Sequence, residues 1–96
     1  MSAALLPYRF NLGTIHLSVA AFEALVRNEA GLVELLQRHR TGDFGEMPYD
    51  DKQVNEKSIR QGGRILSSYP LEDGTVIWII TGAGWTTTSV MVREEY

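Results

Sequence analysis

The run Val76-Ile77-Trp78-Ile79-Ile80 is apolar at both parities, and no other feature restricts the fold of this chain as strongly. Successive side chains of a strand point to opposite faces, so a segment of this kind must be covered on both sides. It belongs in the middle of a sheet, with Trp78 expected between sheet and helices. Its neighbours are the flanking runs Arg64 to Tyr69 and Thr86 to Arg93, both rich in β-branched and aromatic residues. Asp73-Gly74 marks a tight hairpin before the central run, and Gly82-Ala83-Gly84 a turn after it. Residues 64–93 are therefore expected to form a three-stranded antiparallel meander.

Ahead of the meander the period changes. Phe10 to Leu17 reads as a strand in which Tyr8, Phe10 and Leu12 share one parity and Ile15 and Leu17 the other, with Gly13 at the switch. Ser18 is placed to cap a helix over Val19 to Asn28, whose Phe22, Leu25 and Val26 make a core-facing stripe. A second helix, Leu32 to Arg40, buries Leu32, Leu35 and Leu36. Its last turn sets Arg38, His39 and Arg40 against the negative helix end, and Gly42 supplies a left-handed exit. A loop over Asp43 to Asp50 leads to a third, mostly polar helix that Asp50 would cap and Gly62-Gly63 would close. The expected fold is α+β in the order β-α-α-α-β-β-β: a four-stranded, mainly antiparallel sheet with helices on one face.

A chain of 96 residues makes one domain, taken as 1–96. It contains no cysteine, which excludes disulfides, thiolate catalysis and Cys-ligated zinc, and no cofactor or metal is expected. The longest apolar run is far short of a membrane span, and Met1 to Phe10 carries no basic region followed by an apolar stretch. A soluble, cytoplasmic protein is expected. With a net charge of −3, the chain lacks the positive footprint of a nucleic-acid binder, so nucleic acid is expected only through a partner. A mildly acidic surface suits a basic protein instead.

His39, Asp43, Asp51 and Asn55 are the polar set with the most chemistry. Asp51 and Asn55 lie i, i+4 on one helical face, and His39 and Asp43 flank a helix exit. Together they would orient a water or a polar ligand with His39 as acid–base; separately they are a helix-end charge, a turn former and a loop tie. Trp85, beside Gly82 and Gly84 on a glycine-rich turn, reads either as an anchor for a partner or as a side chain folded over the sheet edge. The carboxylates of Glu94 and Glu95 close the following strand. The hydroxyl run Thr86 to Ser89 has no base beside it in sequence, and Lys57, Arg60 and Arg64 form a small basic cluster that reads as a solvated helix face or a phosphate contact.

From Leu12 onward the chain resembles a family of small proteins carried on plasmids and other mobile elements. The resemblance rests on Arg38-His39, Gly42-Asp43-Phe44-Gly45, Asp51, Asn55 and Arg64-Ile65-Leu66-Ser67-Ser68-Tyr69. It continues in Asp73-Gly74, Trp78-Ile79-Ile80-Thr81, Thr87-Thr88 and Glu94-Glu95-Tyr96. Members of that family place acidic and arginine side chains after the threonine matching Thr81, where this chain has Gly82-Ala83-Gly84-Trp85. Within such a mobile-element setting, the small acidic chain and its sparse acid–base inventory favour a non-catalytic protein that occupies a host or defence-system protein, as inhibitors of restriction or CRISPR systems do. The aromatic on a glycine-rich turn that departs from the family makes Trp85, Gly82, Gly84, Glu94 and Glu95 the expected binding face. The alternative is a small ribonuclease-like or toxin-type enzyme of helix-plus-antiparallel-sheet architecture. The oligomeric state is left open.

Overall fold

A computed structural model describes residues 7–96, and the expectation for Met1 to Leu6 lies outside them. The elements are β1 (Thr14–Leu17), α1 (Val19–Arg27), α2 (Leu32–Thr41), α3 (Tyr49–Gln61), β2 (Ile65–Pro70), β3 (Val76–Thr81) and β4 (Thr87–Val92), followed by a 3₁₀ turn, Arg93–Glu95. The order of elements is the expected one, and the sheet has four strands in the spatial order β1-β4-β3-β2.

The sheet is mixed, which corrects the expectation of a mainly antiparallel one. The β2–β3 and β3–β4 ladders are antiparallel, but β1 runs parallel to β4, with Thr14 opposite Thr87 and Leu17 opposite Val90. Short hairpins force antiparallel neighbours; the connection after β1 contains three helices and can return the chain in either direction. The parallel entry of β1 rests on one close contact with a segment distant in sequence. Gly13, at φ +66°, lies so close to β4 that a Cβ there would stand 2.1 Å from the Thr86 carbonyl oxygen. The same approach lets the Thr14 N–H donate to that carbonyl at 2.9 Å. The expected strand over Phe10 to Leu17 is accordingly confined to its second half, and Phe10 and Leu12 are buried by packing instead.

The core divides into two clusters. In the larger, Ala21, Ala24 and Leu25 of α1 and Leu35 of α2 pack on Tyr69, Ile77, Ile79 and Val90. Central strand β3 therefore turns Ile77 and Ile79 inward, while Trp78 lies half-buried on the opposite parity, its ring 5.3 Å from that of Tyr96. This corrects the placement of Trp78 between sheet and helices. Helix α1 is also rotated from the expected stripe: two alanines let it sit close on the sheet beside Leu25, and Phe22 and Val26 are left outside. Phe10, Leu12, Phe44 and Ile65 form the second cluster, joined by Ile59 of α3 and by Trp85.

Helix ends follow the sequence in part. The Ser18 side chain accepts the Ala21 N–H at the start of α1, and Gly42 and Gly62 end α2 and α3 in the left-handed region. Asp50 does not cap α3; the helix starts at Tyr49 after Pro48, and Asp50 lies in its first turn, where its charge still suits the helix N-terminus.

The β2 edge of the sheet is closed by side-chain and loop groups. Leu66 and Ser68 turn their backbone groups away from β3. The Asn55 amide of α3 donates to the Leu66 carbonyl at 2.7 Å and accepts the Leu66 N–H at 3.0 Å. The Ser68 N–H donates to the Phe44 carbonyl at 3.0 Å, and the Glu46 N–H donates to the Ser68 carbonyl at 2.8 Å. Gly45, between those two loop residues, has φ +74°, and a Cβ on it would meet the Ser68 carbonyl oxygen at 2.1 Å, so only glycine permits this approach. Pro70, next at this parity, has no N–H to satisfy. Replacing Asn55 by alanine removes both partners of Leu66. Asn55→Ala should lower stability by about 1–2 kcal/mol in urea denaturation; a loss within a few tenths of zero would show that Asn55 does not hold this edge.

Candidate functional site

The polar group with the deepest setting is His39. It reaches from the last turn of α2 into the space under the sheet, has no solvent exposure, and meets the edge of the Phe10 ring at a centroid distance of 5.0 Å. Its Nδ1 lies 2.5 Å from Ser67 Oγ and its Nε2 2.9 Å from Thr81 Oγ1. Thr81 Oγ1 in turn lies 2.8 Å from Thr88 Oγ1, and the Thr88 hydroxyl donates to the Leu12 carbonyl at 2.6 Å. Ser67, Thr81 and Thr88 are as fully buried as His39.

The direction of every proton in this line follows from its end. A carbonyl only accepts, so the single Thr88 hydroxyl proton is committed to Leu12. Thr88 Oγ1 therefore accepts from Thr81, whose own proton is thereby used, and Thr81 Oγ1 accepts from His39 Nε2–H. Nδ1 is left as an acceptor, and Ser67 donates to it. The imidazole is neutral in this arrangement, and desolvation pushes its pKa down to about 3. This corrects the reading of His39 as a positive charge at the end of α2: Arg38 and Arg40 lie in that turn, and His39 turns inward.

A serine hydroxyl on a histidine nitrogen has the outline of an activated nucleophile. Here it is closed to solvent on every side, and the far nitrogen faces a threonine where a hydrolase holds a carboxylate. The arrangement fastens α2 to β2, β3, β4 and the segment before β1.

The other members of the polar set do not converge on His39. Asp43 pairs with Arg38 at 2.7 Å, which holds its carboxyl below the usual range, and also accepts the Gly45 N–H at 3.2 Å. The Asp43 carbonyl accepts the Tyr69 hydroxyl at 2.5 Å, and burial pushes the Tyr69 pKa up. Asn55 is engaged with Leu66. Asp51 is exposed and lines a hollow of about 210 Å³ beside Asn55, Met47 and Arg64. The Arg64 guanidinium, across that hollow, donates to the Tyr96 hydroxyl at 2.6 Å.

The turn after β3 is likewise held down. Trp85 takes a left-handed backbone (φ 58°), packs its ring 5.7 Å from Phe10 and donates its Nε1–H to the Gly63 carbonyl at 3.0 Å. The Gly84 N–H donates to the Gly62 carbonyl at 2.9 Å, so the turn clamps the exit of α3. Of the two readings of Trp85, the geometry is that of a half-buried indole folded inward. Glu95 accepts the Ser18 hydroxyl at 2.7 Å and the Val92 N–H at 2.9 Å, and Glu94 lies 3.4 Å from Arg93. Gly82 donates its N–H to the Thr87 carbonyl at 3.1 Å.

The residues that sequence reasoning passed over are those left outside the core. Val19, Phe22 and Val26 are 73%, 55% and 62% exposed and lie within one face of α1 at i, i+3 and i+7. Three exposed carboxylates, Glu23, Glu29 and Glu34, belong to the same α1–α2 segment, and none is in an ion pair among the described residues. The segment's one cation ahead of α2's last turn, Arg27, is paired with Asp73 at 2.9 Å. The spacing of Phe22 and Val26 was visible in the sequence; that Ala21 and Ala24 would take the buried side was not.

Among the described residues no group of three or more His, Asp or Glu side chains is placed to hold a metal ion, and no helix is long and apolar enough to cross a membrane. Comparison with family models, curated proteins and solved structures gives no match.

The neutral His39 makes stability depend on pH in a fixed sense. Above about pH 6.5 the imidazole is neutral in both states and its contribution is fully present. As pH falls below that, the unfolded chain takes up a proton that the folded chain refuses until about pH 3, so stability is lost by up to about 1.4 kcal/mol per pH unit. Between pH 7 and pH 4 wild type should lose about 2–3 kcal/mol more than His39→Gln in denaturant titrations. Parallel losses in the two proteins, or an NMR titration of the His39 ring near its ordinary value, would contradict the buried neutral assignment.

Proposed function

We propose that the chain is a non-catalytic binding protein that acts by occupying a basic surface of another protein. The observation that carries this reading is the distribution of its groups. His39 and its hydroxyl partners are sealed in a closed line of hydrogen bonds, while apolar side chains stand outside on α1 among carboxylates that are unpaired among the described residues. An exposed stripe with large apolar side chains is the surface a partner can dehydrate at a gain, and the surrounding Glu23, Glu29 and Glu34 would steer a cationic partner toward it.

This reading moves the binding face away from the Gly82 to Trp85 turn, whose indole is engaged by Phe10 and Gly63, and from Glu95, which caps the C-terminal turn. Its target class remains the one expected from the sequence and its resemblance: a host or defence-system protein met by a mobile element. The enzyme alternative rests on His16, which is exposed on β1 beside Ser89 of β4, its Cα partner across the ladder.

The test starts with a partner captured by wild type but not by Phe22→Glu, then purified and measured by calorimetry. Phe22→Ala should weaken binding by about 2 kcal/mol or more with little change in melting temperature. Charge reversal at Glu23 and Glu34 should slow association and flatten its salt dependence. An affinity indifferent to Phe22 refutes this face, and RNA or peptide cleavage that disappears in His16→Ala would replace binding by catalysis.

A further inference from the structure

The two edges of the sheet are treated in opposite ways. On β2 the outward N–H and C=O groups of Leu66 and Ser68 all have intramolecular partners, and Pro70 offers no N–H. On β1 the pattern is reversed. The Thr14 and Ser18 N–H groups donate to the carbonyls of Thr86, just before β4, and of Val90 within it, at 2.9 and 3.0 Å. In a parallel ladder residues of one parity face the neighbour with both N–H and C=O, so Ile15 and Leu17 turn theirs away from the sheet. Among the described residues no side chain or loop group is bonded to them.

Natural sheets blunt such an edge by keeping it short or with lysine, proline, a bulge or an inward charge. Thr14-Ile15-His16-Leu17 is short but carries none of the other devices, and Ile15 is 43% exposed. The open edge has two donors and two acceptors, spaced one residue apart.

We propose that β1 pairs antiparallel with β1 of a second copy of this chain, about a two-fold axis passing His16. That arrangement sets Ile15 opposite Leu17 of the other copy in hydrogen-bonded register, and Leu17 opposite Ile15. Each of these pairs exchanges both of its N–H···O bonds, so every outward group of both strands is satisfied and none is left over. The side chains agree with it. Ile15 and Leu17 lie on the face of the sheet that carries the core, so each apolar residue gains an apolar neighbour there. The strand contains no Lys, Arg, Asp or Glu to be brought against its own copy, the usual obstacle to an isologous contact, and His16 faces the His16 of the other copy across the axis. The result is a continuous eight-stranded sheet with the sealed β2 edges at its two ends. Strands this short bury little area, so the dimer is weak and concentration-dependent. The pairing is argued from the β1 backbone and does not rest on the proposed function.

Sedimentation velocity of the full chain over a wide concentration range gives the first reading, and amide hydrogen exchange by NMR the second. The expected results are a monomer–dimer equilibrium and exchange at Ile15 and Leu17 that slows about tenfold or more as the dimer fills. Ile15→Pro should abolish the dimer while leaving the fold intact, because the N–H it removes points away from the β4 ladder. Ile15→Lys serves as a second variant if the proline perturbs folding, and Ile15→Val should keep the dimer. A chain that stays monomeric at its highest attainable concentration overturns the proposal. So does a dimer in which the Ile15 and Leu17 amides exchange as freely as in the monomer, since its interface lies elsewhere. Protection of those amides only on adding the purified partner captured through Phe22 assigns the edge to that partner and overturns self-pairing.

Discussion

The line of hydrogen bonds from Ser67 through His39, Thr81 and Thr88 to the Leu12 carbonyl is the constraint on which the remaining geometry depends. It passes through α2, β2, β3, β4 and the segment before β1, so it fixes elements far apart in sequence relative to one another. In a low-dielectric interior each of these bonds is stronger than in water, and each broken one leaves a costly unpaired group. A helix displaced by an ångström would strand several polar atoms at once. Apolar packing alone tolerates a sliding helix better than this line does.

The two apolar clusters meet at that line. Ser67 lies in β2 between Ile65 of the smaller cluster and Tyr69 of the larger, and the His39 ring abuts Phe10. On the N-terminal side, Arg9 adds a paired contact to Glu56 of α3 at 2.7 and 2.8 Å, and its N–H donates to the Arg40 carbonyl at the end of α2. The segment before β1 is thus tied to two helices before it enters the sheet. Its approach to Thr86, where only glycine fits, delivers β1 parallel to β4.

Local rules carried much of the fold. The doubly apolar run did mark the central strand, Asp73-Gly74 did make the hairpin, and Ser18, Gly42 and Gly62 did bound their helices, because each of these depends on a few adjacent residues. What escaped was set by distant partners. The direction of β1 depends on a contact between Gly13 and Thr86. The face of α1 depends on how closely Ala21 and Ala24 approach the sheet, which the larger hydrophobicity of Phe22 and Val26 conceals. Asn55 was legible as a polar residue on a polar helix, but its task of bonding Leu66 arises only once α3 lies along β2. His39 misled for a similar reason: its place in a basic last turn suggests charge, whereas two hydroxyls and an aromatic edge 28 or more residues away make it a neutral core residue.

The sealing of β2 has a consequence for stoichiometry. A sheet with two usable edges can add copies without end, and every addition exposes a fresh template for the next. A sheet with one usable edge cannot. Whatever strand meets β1, whether from a copy or from another protein, the far side presents an asparagine amide, a glycine loop and a proline where a further strand would need free backbone. This chain therefore accepts one added strand and no more, and between copies of it the largest assembly reachable by that route is a pair.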